Sequence, residues 1–170
     1  MSENGVLNAM GNTDKVSNIL NVIANDSQGV LAFSGKLADY INAFNEKTNL
    51  YLGSTSTLEL GEENKTLENN QLRLGGAKGT VTVLGNLKQD ASLSIGNAKQ
   101  TGKVVIASHN PNFNGKVIVG NVELDTKFTD SLGKARVSLG YAAIANANLM
   151  KILAKMLKLK GYYWLNKIVI

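Results

Sequence analysis

Cysteine is missing from the 170-residue sequence. Disulfides, thiolate metal sites and cysteine nucleophiles are thereby excluded together, and cysteine usage says nothing about the redox compartment. Histidine occurs once and proline once, so a histidine-rich metal site is excluded by count. Aromatics make up 6% of the chain against 44% hydrophobic residues in all, so the interior must be built from Val, Leu, Ile and Ala. No apolar run reaches 18 residues, which argues against a spanning helix. The opening "MSENGVLNAMGNTDK" lacks a basic stretch ahead of an apolar one, so no secretory signal is read there and a fragment of a larger protein is expected.

Acids are missing from the end of the chain. Residues 131 to 170 hold 7 Lys/Arg and no Asp/Glu, while residues 1 to 130 hold 11 basic and 13 acidic residues. The formal charge of +5 therefore belongs to the tail, whereas a basic groove would spread its charge through the fold, and no nucleic-acid partner is expected.

What the chain does have is a succession of short alternating runs from Asn49 onward: "NLYLG", "TLELG", "QLRLGG", "TVTVLG", "ASLSIG", "KVVIAS", "KVIVG", "VELD" and "RVSLG". Each alternates apolar and polar residues and closes on Gly, Asn, Asp or Ser, a strand and turn pattern. The starts Leu72, Val81, Leu93, Val104 and Val117 lie about 9 to 13 residues apart, as successive strands of a coil would. Stacked turns would bury Val, Leu and Ile in continuous ladders, which no single turn can do. A β-sandwich has similar spacing and remains the alternative. Scarce proline and aromatics, with Gly and Asn at the run ends, favour the coil.

Ahead of the strands, Val16, Ile19, Leu20 and Ile23 recur at helical spacing, with Asp14 as a cap and Gly29 as a stop. "GVLAFSG" reads as a strand, and Leu37, Tyr40, Ile41 and Phe44 share one face of a second short helix. Three regions follow: a polar N-terminal segment with short helices over 1–48, β-helix rungs over 49–140, and a basic amphipathic tail over 141–170.

The stretch "TGKVVIASHNPNFNGKVIVGNVELD" resembles the autotransporter-associated β-strand repeat of bacterial autotransporter passenger regions. Gly102, Val104, Ile106, Asn110, Phe113, Gly115, Val117, Val119 and Leu124 stand where that pattern places them. Gly120 comes early for the final glycine, and Pro111 sits in the loop. The likeness is good from Thr101 to Asp125. It continues more loosely over Leu58 to Gly102 and leaves out both the N-terminal region and the tail. The resemblance implies a right-handed parallel β-helix at a cell surface or secreted from it, serving as a stalk or platform, with no catalytic residues and no cofactor. Host or neighbouring cell-surface molecules are the partners it implies, and stacked ends would allow end-to-end self-association. The membrane barrel used by such proteins is not read in this chain, whose end is one Lys-rich segment.

Other motifs carry weaker expectations. His109 would need a nucleophile and an orienting acid to act as a base, and reads as a solvated loop residue. "LGGAKGT" over 74–80 looks like a phosphate loop, yet a strand follows it where a helix is required, so it reads as a turn. Glu62, Glu63 and Glu123, with Glu59 and Glu68 nearby in sequence, are the carboxylates a carbohydrate-active β-helix could use, though adjacent glutamates do not establish a catalytic pair. In the tail, Lys151, Lys155 and Lys158 fall on one side of a helix and Leu149, Ile152, Leu153, Met156 and Leu159 on much of the rest, followed by "GYYW" with Trp164. That segment could contact an anionic membrane, cap the open end of a coil, or be an extension foreign to the fold. Neither metal ligands nor a defined ligand site is read from the sequence.

Overall fold

The computed structural model describes residues 5–9, 16–40, 44, 49–96, 101–140 and 144–145. In chain order they form β1 (Val6–Asn8), α1 (Val16–Val22), β2 (Gln28–Ala32), β3 (Gly35–Leu37), β4 (Asn49–Gly53), β5 (Thr57–Leu60), β6 (Thr66–Leu67) and β7 (Gln71–Leu74). Then follow β8 (Thr80–Val83), β9 (Asn86–Leu87), β10 (Ser92–Ile95), β11 (Lys103–Ile106), β12 (Lys116–Val119), β13 (Glu123–Thr126), β14 (Arg136–Leu139) and β15 (Ile144–Ala145).

Apart from β1 and the short β6 and β9, the strands alternate along the chain between two long sheets. One has the order β1-β2-β4-β7-β10-β12-β14, the other β15-β13-β11-β8-β5-β3, and β6 pairs with β9 on a short third side. Among the described residues every strand pairing is parallel, so the chain winds into a β-solenoid of about 6 turns rather than a sandwich. Turns differ little in length: Lys116 to Arg136 is among the shortest, and Leu93 to Val117 among the longest. Two strands per turn account for the spacing read from the sequence.

Alternation decides which side chains face inward. A single ladder runs Leu7, Leu31, Leu52, Leu74, Ile95, Val119, Leu139 through seven strands in register. On the opposite sheet, Leu58, Val81, Val104 and Leu124 stack the same way, beside Leu60, Val83 and Ile106. Val104, Ile106, Val117 and Val119 are fully buried, as the alternation requires. Burying one such side chain stabilises by about 1.5 to 3 kcal/mol, so the ladders dominate the energetics of the fold.

The coil reaches further toward the N-terminus than residue 49, since β1 and β2 pair with each other and β2 continues onto β4. The first helix forms as α1 and buries Val16 and Leu20 in the common core. Of the second helical pattern, Leu37 ends strand β3 while Phe44 is helical, and Tyr40 and Phe44 are buried with their rings 5.3 Å apart. The remainder of that pattern, Ile41 included, lies outside the described residues, as does the amphipathic tail expected beyond residue 145.

Candidate functional site

Among the described residues, the outer side of the β3-to-β13 sheet sets out a regular array of exposed and partly exposed polar groups. Register places Thr57, Thr80, Lys103 and Glu123 in one column and Lys36, Glu59, Thr82, Val105 and Asp125 in the next. These are the alternate positions to the buried ladders, so the same pattern that builds the core sets out this face. Neighbouring rows lie about 4.8 Å apart. Lys36 Nζ stands 3.2 Å from Glu59 Oε2, and Lys103 Nζ stands 3.0 Å from Glu123 Oε1 and 3.1 Å from Asp125 Oδ2. The Glu123 hydrogen bond raises the Lys103 pKa, partial burial opposes it, and Asp125 adds to the rise. Lys103 thus holds two carboxylates on an open sheet, where each pair contributes little to stability but fixes where the charges sit.

The carboxylates proposed for sugar chemistry do not come together. Glu62 and Glu63 follow β5, whereas Glu123 begins β13, three strands away across β8 and β11. Three strand spacings amount to about 14 Å, beyond the roughly 5 to 9.5 Å that a glycosidase pair spans. Glu62 Oε1 lies 3.9 Å from Lys65 Nζ, with Asp39 Oδ2 3.8 Å from the same ammonium. Glu123 and Asp125 are close to each other, but the Lys103 ammonium stands between them. No group of three or more His, Cys, Asp or Glu among the described residues could hold a metal ion.

His109 has a partner that its sequence neighbourhood does not reveal. Its Nδ1 lies 2.9 and 3.1 Å from the two oxygens of Asp130, and its ring stacks on Phe128 at 3.8 Å. A carboxylate only accepts, so Nδ1 is the donor in this contact. An oriented imidazole is therefore present, on the surface. The nearby serines are otherwise engaged: Ser108 Oγ donates to the Gly85 carbonyl and Ser131 Oγ donates to the Ile106 carbonyl, both buried. Among the described residues the arrangement orients a histidine whose two neighbouring serines are engaged elsewhere.

The residue beside it, Asn110, is a structural hub. Its Oδ1 accepts from the Leu87 N–H at 2.6 Å, and its Nδ2 donates to the Ser131 carbonyl at 2.8 Å and to the Ser108 carbonyl at 3.2 Å. One buried amide thus ties together three successive turns. Phe113 is buried in the same bend. At Gly115 a Cβ would overlap the Ala91 carbonyl, so only glycine fits between these backbones. The loop "SHNPNFNG" is a corner built from these contacts.

A second corner is built differently. Between β3 and β4, the Tyr40 hydroxyl accepts from the Arg73 N–H at 3.2 Å, and the Arg73 guanidinium donates to the Phe44 carbonyl at 2.6 Å, the Leu50 carbonyl at 3.2 Å and Gln71 Oε1 at 2.9 Å. Arg73 is buried although it occupies an outward strand position. Burial pushes the Tyr40 pKa up to about 12 and also raises that of Tyr51. Nothing in local sequence marks Arg73, since a charge between two leucines in a strand reads as solvated.

"LGGAKGT" is a bend between β7 and β8, with left-handed backbone at Ala77 (φ 61°) and Lys78 (φ 69°) as well as at its first two glycines. A strand follows it, so no helix N-terminus faces its glycines. Lys151, Lys155, Lys158 and Trp164, the candidate membrane contacts, lie outside the described residues. No helix among the described residues is long and apolar enough to cross a membrane.

Comparisons with known proteins give no match: no family model fits the chain, and neither a curated protein nor a solved structure matches it.

Proposed function

We propose that this chain is a structural and adhesive module, a β-solenoid segment of a bacterial surface or secreted protein of the autotransporter passenger kind. Its work is to present the Thr/Lys/Glu/Asp face to host or neighbouring cell-surface molecules. The observation that carries this reading is the register of that face: Thr57, Thr80, Lys103 and Glu123 beside Lys36, Glu59, Thr82 and Asp125, held in rows by strands whose inner residues are wholly buried. A flat array of hydrogen-bonding groups on a rigid support suits an extended partner more than a small molecule, which requires a concave pocket. The wide separation of Glu62 and Glu63 from Glu123 weighs against the carbohydrate-active alternative. The surface location and the autotransporter kinship rest on the likeness of residues 100–125 to the repeat.

The experiment is an adhesion assay with fluorescent beads coated with the full chain, applied to bacterial and to mammalian cell layers. Beads carrying the chain should attach several-fold more than albumin-coated beads. The double variant Thr80→Glu, Lys103→Glu should lose that excess while keeping its β-rich circular dichroism, and Ser94→Glu on the other sheet should retain it. Attachment no better than albumin, or equal loss in both variants, would remove the proposal.

A further inference from the structure

The outer face of the β3-to-β13 sheet carries its charges in an order that reads oppositely from its two ends. Taken one strand at a time along the coil, register gives Lys36 on β3, Glu59 on β5, Thr80 and Thr82 on β8, Lys103 on β11, and Glu123 with Asp125 on β13. The signs run plus, minus, neutral, plus, minus. Reversing the direction turns each sign into its opposite about the threonines of β8. All these residues occupy outward positions of described strands, and Lys36 is the most open of the charged ones, with 84% of its side chain exposed.

We infer, resting on the reading of this face as the adhesive one, that it pairs with the same face of a second copy of the chain, the two coils running in opposite directions. A two-fold axis lying along β8 brings Lys36 opposite Asp125 of the second copy, and the reverse. It also sets Glu59 across from the row that holds Lys103 and leaves Thr80 and Thr82 against their own equivalents. Hydroxyls both donate and accept, so like can meet like at the axis. With the coils level and running the same way, each charge would instead meet its own sign, an arrangement that costs free energy. Charge order thus selects direction and register more than it supplies affinity. The five rows extend about 20 Å along the coil and each strand about 13 Å across it, a footprint well short of the roughly 800 Å² per partner of a standard interface. A single pair is therefore weak, and the contact gains strength where many copies face one another.

Beads coated with the full chain provide the test. Wild-type beads should clump with one another several-fold more than albumin-coated beads, and should disperse at about 1 M salt, where the screening length falls to about 3 Å. Lys36→Glu beads alone and Asp125→Lys beads alone should stay dispersed, because in each a charge meets its like across the axis. The two kinds mixed should form clumps that contain both. Each variant keeps a net positive charge, so mixed clumping is not a bulk attraction. Lys116→Glu, an equal reversal at an exposed position of β12 on the other sheet, should clump as the wild type does, and every variant should keep its β-rich circular dichroism. Three results would overturn the inference. One is wild-type beads that stay dispersed, and another is a mixture no more clumped than either variant alone. The third is Lys36→Glu beads that clump with wild-type beads in preference to Asp125→Lys beads, the outcome for coils running the same way. Wild-type beads that attach to cell layers without clumping would remove the inference and leave the adhesive reading; beads that neither clump nor attach would remove both.

Discussion

Two corners of this coil do the same job with opposite chemistry. After each pass through the β3-to-β13 sheet the chain must turn back toward the other sheet, and the backbone groups that the turn leaves unpaired need partners. The corner at 107–115 uses a short neutral side chain, the Asn110 amide, which reaches one turn back to Leu87 and one turn on to Ser131. The connection from β3 to β4 uses a long charged one, Arg73, arriving from a later strand to meet the Phe44 and Leu50 carbonyls, with the Tyr40 hydroxyl on its own N–H. An amide repeats easily from turn to turn because it is small and needs no counter-charge. A buried guanidinium is a single solution, costly to desolvate and strong once satisfied.

That contrast can be broken from either side. Replacing Arg73 by Met keeps much of the bulk and removes the donors, leaving two carbonyls without charge-assisted partners; the expected loss is about 4 kcal/mol, read by urea unfolding. Asn110→Ala should cost about 3 kcal/mol, because the Leu87 N–H and the Ser131 carbonyl lose their partner together. Hydrogen exchange separates the two variants further. The Asn110 change should release amides in the turns holding Leu87 and Ser131, and the Arg73 change those at β4 and β7.

Tyr40→Phe should cost only about 1 kcal/mol at neutral pH, but it alters the response to alkali. The Tyr40 pKa is raised from its ordinary 10.0 to about 12 by burial, so the folded state holds that proton more tightly than the unfolded one. Its stabilising share is full below pH 10 and is lost as pH rises toward 12, amounting to no more than about 3 kcal/mol. The wild type should therefore lose stability across that window more steeply than the Phe variant, as thermal melts at pH 9, 10, 11 and 12 would measure. The smallest effect is expected outside both corners. Lys78→Gly relieves a left-handed residue in the β7 to β8 bend while adding chain entropy to the unfolded state, so a gain below about 1 kcal/mol is anticipated from the same melts.

The first of these corners was legible and the second was not, for a physical reason. Val104, Ile106, Val117 and Val119 declare their orientation by alternation alone, and the close spacing of the strand starts reflects two strands per turn. Asn110 and Phe113 also stand out, because small polar and aromatic residues in a loop between two β-runs fit a repeat. Tyr40 and Phe44, in contrast, declare only a helical spacing, and nothing in it announces Arg73, whose N–H and guanidinium meet them from a strand more than a turn later in the chain. Likewise, nothing beside His109 announces Asp130, which reaches it because one turn of the coil separates them. Contacts between turns follow the period of the coil, and the sequence displays that period only after the turn lengths are known. The carboxylates showed the converse problem: Glu62 and Glu63 are neighbours in sequence, and the parallel order of the strands sends Glu123 elsewhere.

The unbroken ladder from Leu7 to Leu139 also governs how the molecule would bear a load. Its strands lie across the axis of the coil and their hydrogen bonds run along it, so tension between the two ends acts on one strand pair at a time instead of shearing many together. Stretching would peel the solenoid turn by turn, each step releasing the chain of a single coil as slack. Pulled between its two ends, such a segment would lengthen in small increments, limiting the peak force at its attachment.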